Sequence, residues 1–148
     1  GVSLGARMEV LQNTQPRDLQ EELAALQVEV GGLVKGVGGL RALLVALIAA
    51  FRNNGDCLPS GYEIRVDMAH STHTGAGTVG VYWVDHKLCT TSPHPPPPHA
   101  LAERGYGYDS PESLPEYGFF CHRLVGALGD LERCVGRRNR LRAMGRGE

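Results

Sequence analysis

The chain has 148 residues, the length of one small domain with an extension. Its formal net charge is −1, so the molecule as a whole has no field that would attract nucleic acid or an anionic membrane. Aromatic residues make up only 6% of the chain, so its core has few large side chains, and we expect disulfide bonds or partners to support it.

The first predicted element is a coiled-coil helix over residues 16–54, preceded by a segment, 1–15, that we expect to be disordered. Pro16 suits the first turn of a helix, and Gly55 supplies the stop. Ten apolar residues recur at alternating steps of four and three, which is the heptad repeat of a coiled coil. This heptad stripe consists of Leu19, Leu23, Leu26, Val30, Leu33, Val37, Leu40, Leu44, Leu47 and Phe51.

Glycines weaken the same helix, because each costs roughly 1 kcal/mol relative to alanine in a helix interior. None of them falls on the heptad stripe, so the apolar stripe is uninterrupted. The isolated helix, however, is not stable. Packing against a partner must therefore hold the helix. The glycines are Gly31, Gly32, Gly36, Gly38 and Gly39.

Three partners are candidates for the heptad stripe. We favour identical helices of other copies, because an ordinary globular face rarely sustains this repeat for so long. The inner valines and leucines favour a dimer. An intramolecular hairpin with the C-terminal helix is the second candidate. A bilayer is the third candidate. The apolar run over residues 37–51 contains Arg41 and is shorter than the about 20 residues that a transmembrane helix needs, so we expect no membrane span.

After the helix, alternating apolar and polar residues predict a β-hairpin over residues 55–91. Its first strand has one apolar face, and the second, over 78–89, carries the single Trp. A lone hairpin is not stable in water, so it requires a cystine or packing on the C-terminal helix. The apolar face consists of Tyr62, Ile64, Val66 and Met68.

The four cysteines, Cys57, Cys89, Cys121 and Cys134, form an even set, which favours disulfides in a small secreted domain. Three pairings are open, and four reduced thiols are the alternative. Cys57 and Cys89 flank the hairpin and suit a bond. Cys121 and Cys134 are too far apart on a continuous helix, at about 20 Å, to bond to each other.

A helical coil, then "NNGDC", then "GVYWVDHKLC" resembles the start of fibrinogen-like domains and of fibrillar-collagen C-propeptides. Some 35 residues carry the resemblance, whereas the Gly- and Trp-rich continuation of those families and their acidic calcium loop are absent. The resemblance implies a secreted, non-enzymatic and trimeric module. The matching residues are Asp56, Cys57, Gly80, Val81, Tyr82, Trp83, Val84, Asp85 and Cys89.

Residues 92–112 include four consecutive prolines, 95–98, and lack an apolar period, so we interpret them as an extended Pro-rich spacer or a surface loop with local polyproline II.

Residues 113–148 predict an amphipathic helix with a basic tail, and covering the hairpin is its expected task. Its apolar stripe consists of Tyr117, Phe120, Cys121, Leu124, Leu128, Leu131 and Val135. The tail suits the negative end of the helix dipole, and an anionic surface such as lipid headgroups, glycans or RNA is the alternative partner. The tail arginines are Arg137, Arg138, Arg140 and Arg142, with Arg133 and Arg146 on either side.

No catalytic or metal-binding motif accompanies these elements. His70 and His73 have a spacing that suits a metal, but no paired cysteine or carboxylate motif supports them. The segment "GAGTVG" enters a strand, whereas a dinucleotide fingerprint enters a helix. We expect no cofactor, no metal and no enzymatic activity.

The sequence therefore predicts an α+β, non-enzymatic assembly protein: a coiled coil gathers two or three copies of a small head that binds other proteins. The expected location is extracellular. The alternative is an accessory subunit of an intracellular or organellar membrane complex, with the 37–51 face buried on partners or lipid.

Overall fold

A 38-residue helix, α1, spans Pro16–Asn53 and agrees with the predicted 16–54 within one residue. The computed structural model describes residues 16–70 and 77–147, so the disorder predicted for 1–15 lies outside the described residues. Gly55 follows the helix with φ of +83°, a conformation in which glycine avoids the strain of a Cβ. The amide N–H of Gly55 donates to the Arg52 carbonyl at 3.0 Å, which closes the last turn.

Short strands and two further helices follow α1, so the predicted combination of a long helix, antiparallel sheet and C-terminal helix is confirmed. Strands β2 (Tyr62–His70) and β3 (Gly77–Asp85) form the predicted hairpin, and β4 (Thr90–Ser92) adds a third strand in the order β2-β3-β4. Strands β1 (Leu58–Pro59) and β5 (Tyr106–Tyr108) form a separate two-stranded sheet. The elements after α1 are β1 (Leu58–Pro59), β2 (Tyr62–His70), β3 (Gly77–Asp85), β4 (Thr90–Ser92), α2 (His99–Arg104), β5 (Tyr106–Tyr108), a 3-10 turn (Pro111–Ser113) and α3 (Pro115–Gly145).

The chain divides into two compact units, each with its own core. The head unit, residues 36–126, contains the sheets, the second half of α1 and the start of α3. The inner face of the hairpin, including Ile64 and Val66, joins Leu47, Phe51 and Phe120 in one apolar cluster. Leu47 and Phe51 are completely buried. Helix packing therefore supports the hairpin, and a cystine is not required for it.

A buried ion pair fixes the end of the hairpin in the head unit. The Asp85 carboxylate accepts two hydrogen bonds from the Arg104 guanidinium, each at 2.8 Å, and others from the backbone N–H groups of Lys87 and Leu88. The guanidinium also lies 4.7 Å from the centre of the Tyr62 ring. The hydrogen bonds from Arg104 lower the pKa of Asp85 well below its ordinary value.

The segment interpreted as a Pro-rich spacer is more ordered than the sequence predicts. Helix α2 begins directly after the prolines, and its Ala100 is buried. Strand β5 then pairs with β1. The spacer interpretation failed because the Asp85–Arg104 pair joins positions 19 residues apart, and a local pattern does not show such a contact.

The hairpin unit consists of residues 1–35 and 127–148, and its described part is an antiparallel pair of helix segments from α1 and α3. Leu26 and Val30 pack with Cys134 and Leu141 in its core. Leu19, at the other end, lies against Gly145. This arrangement is the second candidate for the heptad stripe, the intramolecular hairpin.

We expect Leu26→Ala to lower the free energy of unfolding by about 2 to 4 kcal/mol, because it leaves a cavity in this core. Val28→Ala is the matched control, since Val28 is 77% exposed on the same helix and its truncation costs less than about 0.5 kcal/mol. Urea titration measures both. Equal effects of the two substitutions would contradict the packing of α1 on α3 in the hairpin unit.

We expect the protein to lose stability below about pH 4 in a way that depends on Asp85. Because the folded-state pKa of Asp85 lies below the ordinary 3.8, its contribution is complete above that pH and disappears as the pH falls through the folded pKa. Asp85→Asn should lower Tm at pH 7 and flatten its fall between pH 5 and pH 2. The exposed Asp109→Asn should change neither. Thermal unfolding across this pH range checks the slope.

Candidate interaction surfaces

The heptad stripe is already covered within the single chain. All ten of its residues are buried or half-buried. Those in the hairpin unit pack on α3, and Leu40, Leu44, Leu47 and Phe51 belong to the core of the head unit. A coiled coil between copies is therefore not confirmed, and a contact through this stripe would first require these cores to open.

A second stripe on α1 remains open to solvent. Gly38, Ala42, Val45 and Ala49 also recur at steps of four, three and four, on the side of the helix away from the heptad stripe. Val45 is 66% exposed. We call these four residues the outer stripe. Three of the four are exposed and Ala42 is half-buried, so the outer stripe offers a small surface without charge on the solvent side of α1.

The exposed glycines of α1 have no role in internal packing. A Cβ added to Gly36, Gly38 or Gly39 would meet no atom within 4 Å. These glycines therefore lower the stability of the helix without allowing a close contact inside the chain. Small residues let another helix backbone approach closely, as in small-xxx-small packing, and Gly38 with Ala42 has that spacing.

The composition of α1 points to the same exposed surface. The helix is long and apolar enough to cross a membrane by length and composition, with an 18-residue window of mean hydropathy 1.9. Only 17% of that window is buried. The exposed cations Arg41 and Arg52 lie along the head-unit part of α1, which contains no acid.

The four cysteines are free thiols in this structure, and no two of them lie within disulfide distance. Cys57 and Cys89 therefore do not form the intrachain bond expected from their positions beside the hairpin. Cys121 is half-buried and Cys134 is buried. Burial raises the pKa of Cys134, which keeps it a neutral, core-like thiol. Disulfides between chains stay a prediction.

The basic tail has partners that sequence reasoning missed. Arg137 pairs with Glu22, and Arg142 donates a hydrogen bond to Gln27 at 3.3 Å. The acids at the start of α1 and the arginines near the end of α3 thus match across the hairpin unit. The opposite charge of the two segments was a signal in the sequence, although we assigned the arginines only to the dipole of their own helix.

Six of the seven residues predicted for the apolar stripe of α3 are buried or half-buried, and Leu128 is the exception. Phe120 is buried as expected, but Leu128 is 46% exposed. Buried Cys134 and Leu141 were not predicted, and they continue the seven-residue spacing from Phe120. The predicted residues also recur at steps of four and three, and the buried Cys134 and Leu141 occupy the position of Phe120 in the same seven-residue repeat.

The histidines do not form a metal centre in the part of the chain that the structure describes, which contains no group of three metal-ligating side chains. His73 lies outside it. His86 contacts the Glu63 carboxylate at 2.8 Å, beside a shallow cavity that Ser60 and Tyr108 also line. This His–Glu pair lies on the surface of the head unit.

Glu116, at the start of α3, lies near Glu63, and burial raises its pKa, with the neighbouring carboxylate adding to the effect. Its carboxylate accepts a hydrogen bond from the backbone of Val66. This contact covers part of the free edge of β2, because β3 pairs only with the other edge. Glu116 therefore protects an edge strand.

The comparisons with known proteins identify no relative: no family model, no curated protein and no solved structure matches this chain. The resemblance to fibrinogen-like and collagen C-propeptide domains therefore rests on its short sequence window alone. In the structure, Gly80, Tyr82, Trp83 and Asp85 of that window lie on β3.

Proposed function

We propose that this chain is a non-enzymatic assembly protein whose outer stripe binds the outer stripe of a second copy. The head unit is then the part presented to other proteins. The exposure of Gly38, Val45 and Ala49, beside the half-buried Ala42, carries the proposal. It keeps the self-association expected from the sequence but moves the contact from the heptad stripe to the opposite side of α1.

Self-complementarity supports a second copy as the occupant. Two identical stripes with glycine and alanine at their centres can approach closely about a two-fold axis. Arg41 lies beside the stripe rather than on it, so its long side chain can reach solvent in both copies. The stripe is only about 16 Å long, from Gly38 to Ala49, so we expect a weak interface.

The decisive experiment is sedimentation velocity of the full chain at about 1 to 300 µM, a range suited to a small interface. We expect the wild type to form a dimer in the upper part of the range, and Val45→Glu to remain monomeric because it buries a charge in the contact. Val28→Glu is the matched control: Val28 is 77% exposed on the same helix but lies about 100° around it from Val45. A monomeric wild type, or equal loss in both variants, would refute the proposal.

Gly38→Ala separates association from folding, because its two effects have opposite signs. The added methyl group meets no atom within 4 Å, so the chain should gain up to about 1 kcal/mol of stability from better helix propensity. The same methyl group should weaken the dimer by widening the helix approach. Urea unfolding of the monomer and sedimentation of the variant measure the two effects. A variant that is more stable and dimerises as well as the wild type would exclude Gly38 from the contact.

An accessory subunit of a membrane-associated complex is the second candidate function. The high hydropathy and low burial of α1 favour it. A full span is not compatible with the folded head unit, because the heptad residues of the same segment pack on charged, open-edged strands. Contact with lipid would therefore be along the outer stripe. Co-sedimentation with phosphatidylcholine vesicles, lost in Val45→Glu and kept in Val28→Glu, would favour this function over self-association.

A further inference from the structure

A buried carboxylate lies where α3 begins, against the edge of β2 that β3 leaves unpaired. Glu116 is in the first turn of α3, and its carboxylate accepts a hydrogen bond from the backbone N–H of Val66. Its Oε2 atom is buried and has no hydrogen-bond partner among the residues that the structure describes. Such an oxygen is costly when the carboxylate is charged, because no other group replaces the water that it loses.

A second carboxylate lies beside it. In the part of the chain that the structure describes, the charged groups that face Glu116 are Glu63 and Arg65, both on β2. The Glu63 carboxylate lies 2.8 Å from Nε2 of His86 and 3.6 Å from the guanidinium of Arg65. The side chain of Arg65 is 55% exposed, so water screens its charge. When His86 is uncharged, two carboxylates therefore face one screened arginine.

The influences on Glu116 act in opposite directions. The hydrogen bond from Val66, the charge of Arg65 and the positive end of the α3 dipole favour the charged carboxylate. Burial and the charge of Glu63 disfavour it. Burial is the largest of these influences, and the pKa of Glu116 is raised above its ordinary 4.5.

We propose that Glu116 is a proton-controlled latch that joins the first turn of α3 to the edge of β2. With a proton on Glu116, the carboxyl group still accepts from Val66 and the repulsion from Glu63 is gone. When the proton leaves, the same contact must hold a buried charge beside Glu63, and it loosens. The contact affects the whole head unit, because Leu114 and Phe120, on either side of Glu116 in the chain, are buried in its core. The inference does not depend on the proposed self-association.

The latch gives the stability of the protein a pH dependence opposite to that of Asp85. Because the pKa of Glu116 is raised in the folded chain, the folded chain holds this proton more tightly than the unfolded chain does. The stabilisation is complete below the ordinary pKa of 4.5 and is lost as the pH rises through the folded-state pKa. Asp85 acts below its ordinary 3.8, so the two effects occupy separate pH ranges.

The test is thermal unfolding of the full chain between about pH 4.5 and pH 7.5, with hydrogen exchange of the Val66 amide as the local probe. We expect the wild-type Tm to fall by about 2 to 4 °C as the pH rises across this range. Glu116→Gln keeps an oxygen that accepts from Val66 but cannot ionise. Its Tm should not show this fall and should exceed that of the wild type at pH 7.5, where its Val66 amide should exchange about fivefold more slowly. Glu63→Gln should reduce the fall, because it removes the neighbouring charge.

Glu112→Gln is the matched control, because Glu112 is exposed and precedes Glu116 by four residues. It should keep the wild-type fall in Tm. His86→Gln separates the latch from the His86–Glu63 pair, and the part of the fall that depends on Glu116 should remain in this variant. Three results would overturn the proposal: a wild-type Tm that does not fall over this range, a fall of the same size in Glu116→Gln, or unchanged exchange of the Val66 amide in Glu116→Gln.

Discussion

The structure depends on covering one apolar stripe along α1. This helix contains five glycines and cannot be stable alone, so its folding free energy must come from contacts made by Leu26, Val30, Leu47 and Phe51. Two different partners supply those contacts. In one unit the partner is another helix, and in the other it is a sheet with the beginning of that helix. The core of each unit therefore contains apolar residues of α1.

The apolar pattern of the heptad stripe does not distinguish an identical helix from α3 as its partner, but the charges of the two helices do. The stripe itself accepts an identical helix or the chain's own α3 equally well, since both offer apolar side chains at seven-residue spacing. The start of α1 is acidic, and the end of α3 is basic, so the intramolecular pair brings Glu22 to Arg137. Two parallel copies of α1 would instead place acid beside acid. These pairs lie at the surface and add little energy, but they favour one arrangement over the other.

The sequence predicts periodic elements well and long-range pairs poorly. The bounds of α1 and the inner face of the hairpin, with Ile64 and Val66, followed from apolar period alone. Strand β4 and helix α2 could not be predicted in this way, because they are too short to show a period. The Asp85–Arg104 pair could not be predicted because its two residues are distant in the chain. Among the candidate surfaces, the heptad stripe was evident but is covered. The outer stripe was present in the sequence, but we considered only its Gly38, and only as a cost to the helix.

The distance in sequence between the two halves of the hairpin unit affects how the protein is made. Leu26 and Cys134 touch in its core but are 108 residues apart. A ribosome adds about 5 to 20 residues per second, so the apolar start of α1 waits about 5 to 20 s for its partner to be synthesised. During translation it therefore lacks its partner, and emergence of α3, rather than of α1, sets when this unit can close.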